Sequence, residues 1–181
     1  MTMILDGTAG VTFPASQTPS MTAYQGGVLT SGTAVASTSG TSITFSSIPS
    51  WVKRITVMFN GVSTSGASNP LVQIGSGSVL TTGYTAASAI SPSPGSSTYT
   101  AGYGLNTANA ANFLYGTMVL TLVSGNVWIS SHGLSIIQSG AAYTLLGGGT
   151  VSLSGTLDRV VITTVNGTDT FTAGSINIQY E

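Results

Sequence analysis

Apolar and polar residues alternate in several short stretches of this chain, and nowhere do apolar residues recur at helical spacing for more than about two turns. The clearest stretch is Trp51 to Asn60 (WVKRITVMFN). At the two-residue period of a strand, Trp51, Ile55, Val57 and Phe59 share one face and Val52, Arg54, Thr56 and Met58 the other. The first set is the expected core face. Lys53 has the same parity and is expected near the strand start, with its stem along apolar surface. Gly116 to Val123 (GTMVLTLV) alternates as cleanly, with Met118, Leu120 and Leu122 on one side. A turn at Ser124-Gly125-Asn126 then leads into a return strand from Val127.

Shorter strands are expected at Ile43–Phe45, Leu71–Ile74, Val151–Leu153 and Arg159–Val165, with a last one through Ile176–Tyr180. Asn60-Gly61 reads as a turn, and Asn166-Gly167 as a two-residue hairpin joining Arg159–Val165 to a return from Phe171. Residues 75–112 form the longest irregular region, and Gly26-Gly27 and Gly147-Gly148-Gly149 read as loops. Val, Ile and Thr dominate the candidate strands. Roughly seven to nine short strands separated by turn signals indicate an all-β fold, an antiparallel β-sandwich of jelly-roll type with an extended N-terminal arm.

Three regions follow from the changes in pattern. Residues 1–20 hold two small apolar clusters, Met3-Ile4-Leu5 and Val11-Thr12-Phe13, too little to bury a core. This region is expected to be an anchoring arm that docks through Ile4, Leu5, Val11 and Phe13. Residues 21–42 are rich in Gly, Ser and Thr and are expected to be a flexible or extended connector. Residues 43–181 are the β-domain.

Charge is where this chain departs furthest from the ordinary. Asp, Glu, Lys and Arg make up 4% of the 181 residues, against about 25% in an average globular protein. The charged residues are Asp6, Lys53, Arg54, Asp158, Arg159, Asp169 and Glu181. With only three basic residues, a nucleic-acid partner held by phosphate neutralisation is excluded. Disorder is not expected, because 41% of the chain is hydrophobic and the net charge is -1. No apolar run is long enough for a membrane helix, so no membrane insertion is expected. The start, MTMILDGTAG, has neither the basic nor the apolar region of a signal peptide, which points to synthesis in a cytoplasm. Cysteine is absent, which removes thiolate chemistry and disulfides. The candidate strands carry almost none of the Lys, Glu or Pro that guard exposed sheet edges, so neighbouring copies are expected to cover them.

Little catalytic chemistry can be assembled from what is left. On a two-residue hairpin, Asp158 would sit roughly 20 Å from Asp169, too far apart for a glycosidase pair. The expected roles are a pairing of Asp158 with Lys53 or Arg54, and a turn contact for Asp169. His132 is the only histidine, placed at the end of a strand, and reads as a surface or loop residue. No G-x-S-x-G elbow or P-loop is present. Asn166-Gly167-Thr168 matches a glycosylation sequon, which the hairpin explains. Neither an enzyme nor a bound cofactor or metal is expected. Tyr84, Tyr99, Tyr103 and Tyr115, with Trp128 and Tyr143, form the one set worth weighing as a contact surface, for a host glycan or for a neighbouring subunit.

The opening Ile4-Leu5-Asp6-Gly7-Thr8-Ala9-Gly10-Val11-Thr12-Phe13-Pro14 resembles the start of many bacteriophage and prophage fibre-like proteins. Ile48 to Val57 (IPSWVKRITV), and Leu153 through Asn166-Gly167-Thr168-Asp169 to Ile178, are similar to a β-rich domain of phage virion proteins. The resemblance spans the arm and most of residues 43–181 and fades between 76 and 115. It implies a homotrimeric virion component, made in the bacterial host, with the arm on a tail adaptor or the capsid and no catalytic residues. The expected role is a short tail fibre or tail appendage that contacts the host. A capsid decoration protein and a host glycan-binding module are the alternatives.

Overall fold

The computed structural model describes residues 29–92, 95–107, 109–110, 112–138 and 140–181, together with the backbone of Ile4–Asp6 and Gly10–Thr12. No helix occurs among these residues, and every strand pairing is antiparallel. In chain order the strands are β1 (Ile4–Asp6), β2 (Gly10–Thr12), β3 (Thr30–Ser31), β4 (Val35–Ala36), β5 (Ile43–Ser46), β6 (Arg54–Thr64), β7 (Pro70–Ser76) and β8 (Ser78–Val79). They continue as β9 (Thr85–Ser91), β10 (Gly95–Tyr99), β11 (Tyr103–Gly104), β12 (Phe113–Ser124), β13 (Val127–Gln138), β14 (Ala141–Ser152), β15 (Arg159–Thr164) and β16 (Phe171–Tyr180).

Two sheets enclose one core. The nine-stranded sheet runs β10-β9-β14-β13-β12-β6-β16-β3, with β4 also on β16, and the five-stranded sheet runs β11-β7-β15-β5, with β8 on β7. Ile55, Val57, Met118, Leu120, Ile136 and Leu145 from the first meet Leu71, Val72, Ile74, Val160 and Ile162 from the second in one buried cluster. The alternation expected in β6 holds for Ile55, Val57 and Phe59. It fails ahead of the strand, where Val52 is buried and Trp51 only partly so, its ring 5.9 Å from that of Tyr180.

Several expected loops prove to be strand. Asn60-Gly61 is not a turn: β6 runs on to Thr64, and Gly61, at φ 66°, is the extra residue of a bulge between the pairs Tyr115–Asn60 and Leu114–Val62. Gly174, at φ 88°, shifts β16 at the same level, where a Cβ would collide with the Gly61 backbone. Gly147-Gly148-Gly149 lies in the middle of β14. There a Cβ on Gly147 would meet the His132 ring at 2.5 Å and one on Gly149 would meet Ala86 at 2.5 Å, so the absent side chains let strands and imidazole approach. Residues 75–112 contain β8 to β11 rather than one long irregular region.

Asn166-Gly167 does form a turn, with the Gly167 N–H donating to Thr164 O at 3.0 Å and φ 67° at Gly167. It does not close a hairpin, because β15 and β16 belong to different sheets and the chain crosses between them. From Thr30 on, the expected connector lies extended along β16, with Gly32 N–H on Ile178 O at 2.8 Å and Ser37 N–H on Gly174 O at 2.9 Å. Gly26-Gly27 falls outside the described residues.

Candidate functional site

Of the arm residues, Ile4 and Leu5 lie on β1 and Val11 on β2, with Leu5 opposite Val11. Phe13 falls outside the described residues.

The tyrosine surface expected from the sequence reduces to one residue. Tyr84, Tyr99 and Tyr103 are core side chains, Tyr103 at 1% exposure, while Tyr115 projects from β12 on the side away from the core. Tyr84 and Tyr103 stack edge to face with centroids 5.1 Å apart. The Tyr103 hydroxyl donates to Trp128 O at 3.0 Å, and the Tyr84 hydroxyl accepts from Ile74 N–H at 2.9 Å. Asn69 Nδ2 donates to the Tyr99 hydroxyl at 2.9 Å. Burial pushes the Tyr84 phenol up to about 12 and raises those of Tyr99 and Tyr103 as well. Between the sheets, in a chain so rich in Gly, Ser and Thr, these rings supply much of the bulk that fills the core. Trp128 is buried with them, and Tyr143 packs partly buried at the core margin.

His132 is the buried group that sequence reasoning misplaced. It sits in the middle of β13, 7% exposed, on the inward face with Trp128, Ser130, Leu134 and Ile136. The signal that could have placed it there is the parity it shares with Trp128, Leu134 and Ile136, which Ser130 on the same face and Ile129 on the other obscure. Ser88 Oγ lies 3.1 Å from His132 Nε2 and accepts the Asn106 N–H at 3.3 Å. With two lone pairs, Ser88 Oγ can accept an Nε2–H as well as the Asn106 N–H, or donate to a bare Nε2, according to the ring tautomer; in either case the ring nitrogen turned away from Ser88 is Nδ1. That nitrogen and Ser130 Oγ are both buried and have no hydrogen-bond partner among the described residues. Burial alone pushes the imidazole down from 6.5 to about 4. Among the described residues no carboxylate bonds the ring, and Ser88 is 1% exposed, so this Ser–His contact has the distance of a catalytic pair without the orienting acid and access to substrate that such a pair uses.

Arg54, Asp158, Arg159, Asp169 and Glu181 are spent on local structure. Asp158 pairs with Arg159 at 2.7 Å rather than with Lys53 or Arg54, and its other oxygen accepts the Gly77 N–H. The Arg159 hydrogen bond holds the Asp158 carboxyl below its usual range. Arg54 instead faces Glu181 at 3.3 Å. Asp169 does secure a turn, accepting from Ser68 N–H at 3.0 Å and Asn166 Nδ2 at 2.8 Å. Among the described residues, no three of His, Cys, Asp and Glu come together as a metal site would require.

The largest feature left is the outer face of the nine-stranded sheet. Phe113, Tyr115, Ile129, Ile137 and Leu146 project from β12, β13 and β14, each between 39% and 55% exposed. Around them lie small or neutral residues such as Thr117, Ser131, Gly133, Ser135, Thr144 and Ala89. Across β9, β14, β13, β12 and β6 the only charge on this face is Arg54, at the end of β6.

No protein-family model matches this chain, nor does a curated protein or a solved structure.

Proposed function

We propose that this chain is a non-enzymatic structural component of a bacteriophage particle. The reading is a short homotrimeric tail fibre or tail-associated appendage, anchored through residues 1–20. The observation that carries it is the broad outer face of the nine-stranded sheet, on which large apolar side chains stand half exposed and Arg54, at the end of β6, is the one charge across β9, β14, β13, β12 and β6. Monomeric soluble proteins seldom leave such area open, and it fits a protein whose surface is completed by assembly. The sheet edges point the same way, since neither β10 (GSSTY) nor β5 (ITFS) holds a charged residue or a proline. The opening segment and the β-domain add their resemblance to phage virion proteins.

For the architecture, the jelly-roll type of sandwich is supported by the way the chain alternates between sheets from β5 to β7. The pairing of β5 with β15 departs from the nested pairing of first strand with last. The glycan-binding alternative loses three of its four tyrosines to the core. Immunogold electron microscopy of particles, with copy number from quantitative mass spectrometry, tests the role. Label at the tail with tens of copies supports an appendage, and label over the head with hundreds of copies replaces it with a decoration protein. A monomer that stays out of particles refutes both.

A further inference from the structure

We infer that the outer face of β9, β14, β13, β12 and β6 is the contact surface between copies of this chain. The inference deepens the assembly role proposed above and rests on that reading only for the place on a particle; like face on like face is a two-fold contact that joins copies in pairs, and a trimer would need a second contact as well.

Size is the first ground. Five strands about 4.8 Å apart, with β12, β13 and β14 each twelve residues long at about 3.3 Å per residue, present a face on the order of 850 Å². A stable interface buries about 800 Å² on each partner. The face therefore has the area that lasting association needs.

Charge selects the occupant. A partner of ordinary composition would bring about 25% charged residues. This face would desolvate those charges and return no counter-charge, since it holds only Arg54, already beside Glu181 at the end of its strand. A second copy brings the same neutral mixture of Ile, Leu, Val, Phe, Thr, Ser, Ala and Gly. Its hydroxyls can pair with their like, and its apolar side chains meet others of their kind. A membrane is a poorer fit, because Ser and Thr are interspersed with the apolar residues in every one of the three longest strands.

Relief permits the contact. Ser131, Gly133 and Ser135 on β13, together with Gly148 on β14 and Ala87 and Ala89 on β9, keep the face low around Leu146, while Ile129 and Ile137 stand toward its two ends. A face so nearly flat allows another sheet to lie on it at the usual spacing of about 10 Å.

The test uses the full chain. Leu146→Asp places a carboxylate in the middle of the face, at a side chain 55% exposed in the free subunit, so the fold tolerates it. Val165→Asp, at 54% exposure in the turn after β15, is the control off the face. Analytical ultracentrifugation should show the wild type and V165D as oligomers. L146D should dissociate with a constant raised by about a hundredfold or more and an unchanged circular dichroism spectrum. Because the chain has no cysteine, Ser131→Cys gives an independent reading: mild oxidation should yield covalent dimer on a non-reducing gel, whereas Val165→Cys should not. An L146D oligomer as tight as wild type, a monomeric wild type, or equal cross-linking of the two cysteine variants overturns the inference. If L146D dissociates as expected but the wild type is not found in particles, the virion role fails and this interface stands.

Discussion

His132 gives the sharpest single test of the core. The unfolded chain takes up a proton at the ordinary imidazole midpoint of 6.5, whereas the folded one resists until about pH 4, because a charged ring among Trp128, Leu134 and Ile136 has lost its water. Between those values the unfolded state binds the extra proton, so folding stability rises with pH. The contribution is complete above about pH 7 and is lost progressively as pH falls from 6.5 to 4. At 1.36 kcal/mol per pH unit the whole interval is worth roughly 3 kcal/mol, a large share of a domain's net stability. Urea midpoints for wild type and His132→Gln between pH 7.5 and 4.5 should diverge, with the wild type losing stability on acidification and the variant nearly flat. Since the chain has one histidine, its ring proton resonance is unambiguous and should show no titration between pH 7.5 and 5.5. A midpoint near 6.5 together with parallel urea curves would refute the burial argument.

Three further outcomes follow from other parts of the molecule. Gly174→Ala forces a side chain into φ 88° and against the Gly61 backbone, so chemical denaturation should show a loss of about 2 kcal/mol or more. Tyr103→Phe removes one of the two hydroxyls that donate to Trp128 O, with that of Thr150 remaining, and should cost about 0.5–1.5 kcal/mol in the same assay. Because so little of any interface can be ionic, the dissociation constant of the oligomer should change less than tenfold between low and high salt, measured by sedimentation.

The sequence showed those elements whose alternation is strict and whose partners are near in the chain. β12 and β13, joined at Gly125-Asn126, were legible, as was the inward set Ile55, Val57 and Phe59. Glycine signals misled where one backbone conformation serves two structures. A left-handed glycine after asparagine suits a turn and a bulge equally, and at Gly61 only the neighbouring strands β12 and β16 decide between them. The run Gly147–Gly149 looks like a loop until the space is seen to belong to His132 and Ala86. Asn166-Gly167 carried a correct turn and a wrong partner, since the sheet that receives the following strand is a long-range matter. The three buried tyrosines were hidden because β9, β10 and β11 carry so few large apolar residues around them that no periodicity pointed inward.

The edge formed by residues 30–37 on β16 also has a mechanical consequence. Tension along the strand axis, applied at Thr30, would load the bonds from Gly32 to Ile178 and from Ser37 to Gly174 in shear, so that they share the force and yield together. Tension at right angles would peel the same segment from its Thr30–Tyr180 end, one bond after another. A strand paired in this way holds in one direction and releases in another.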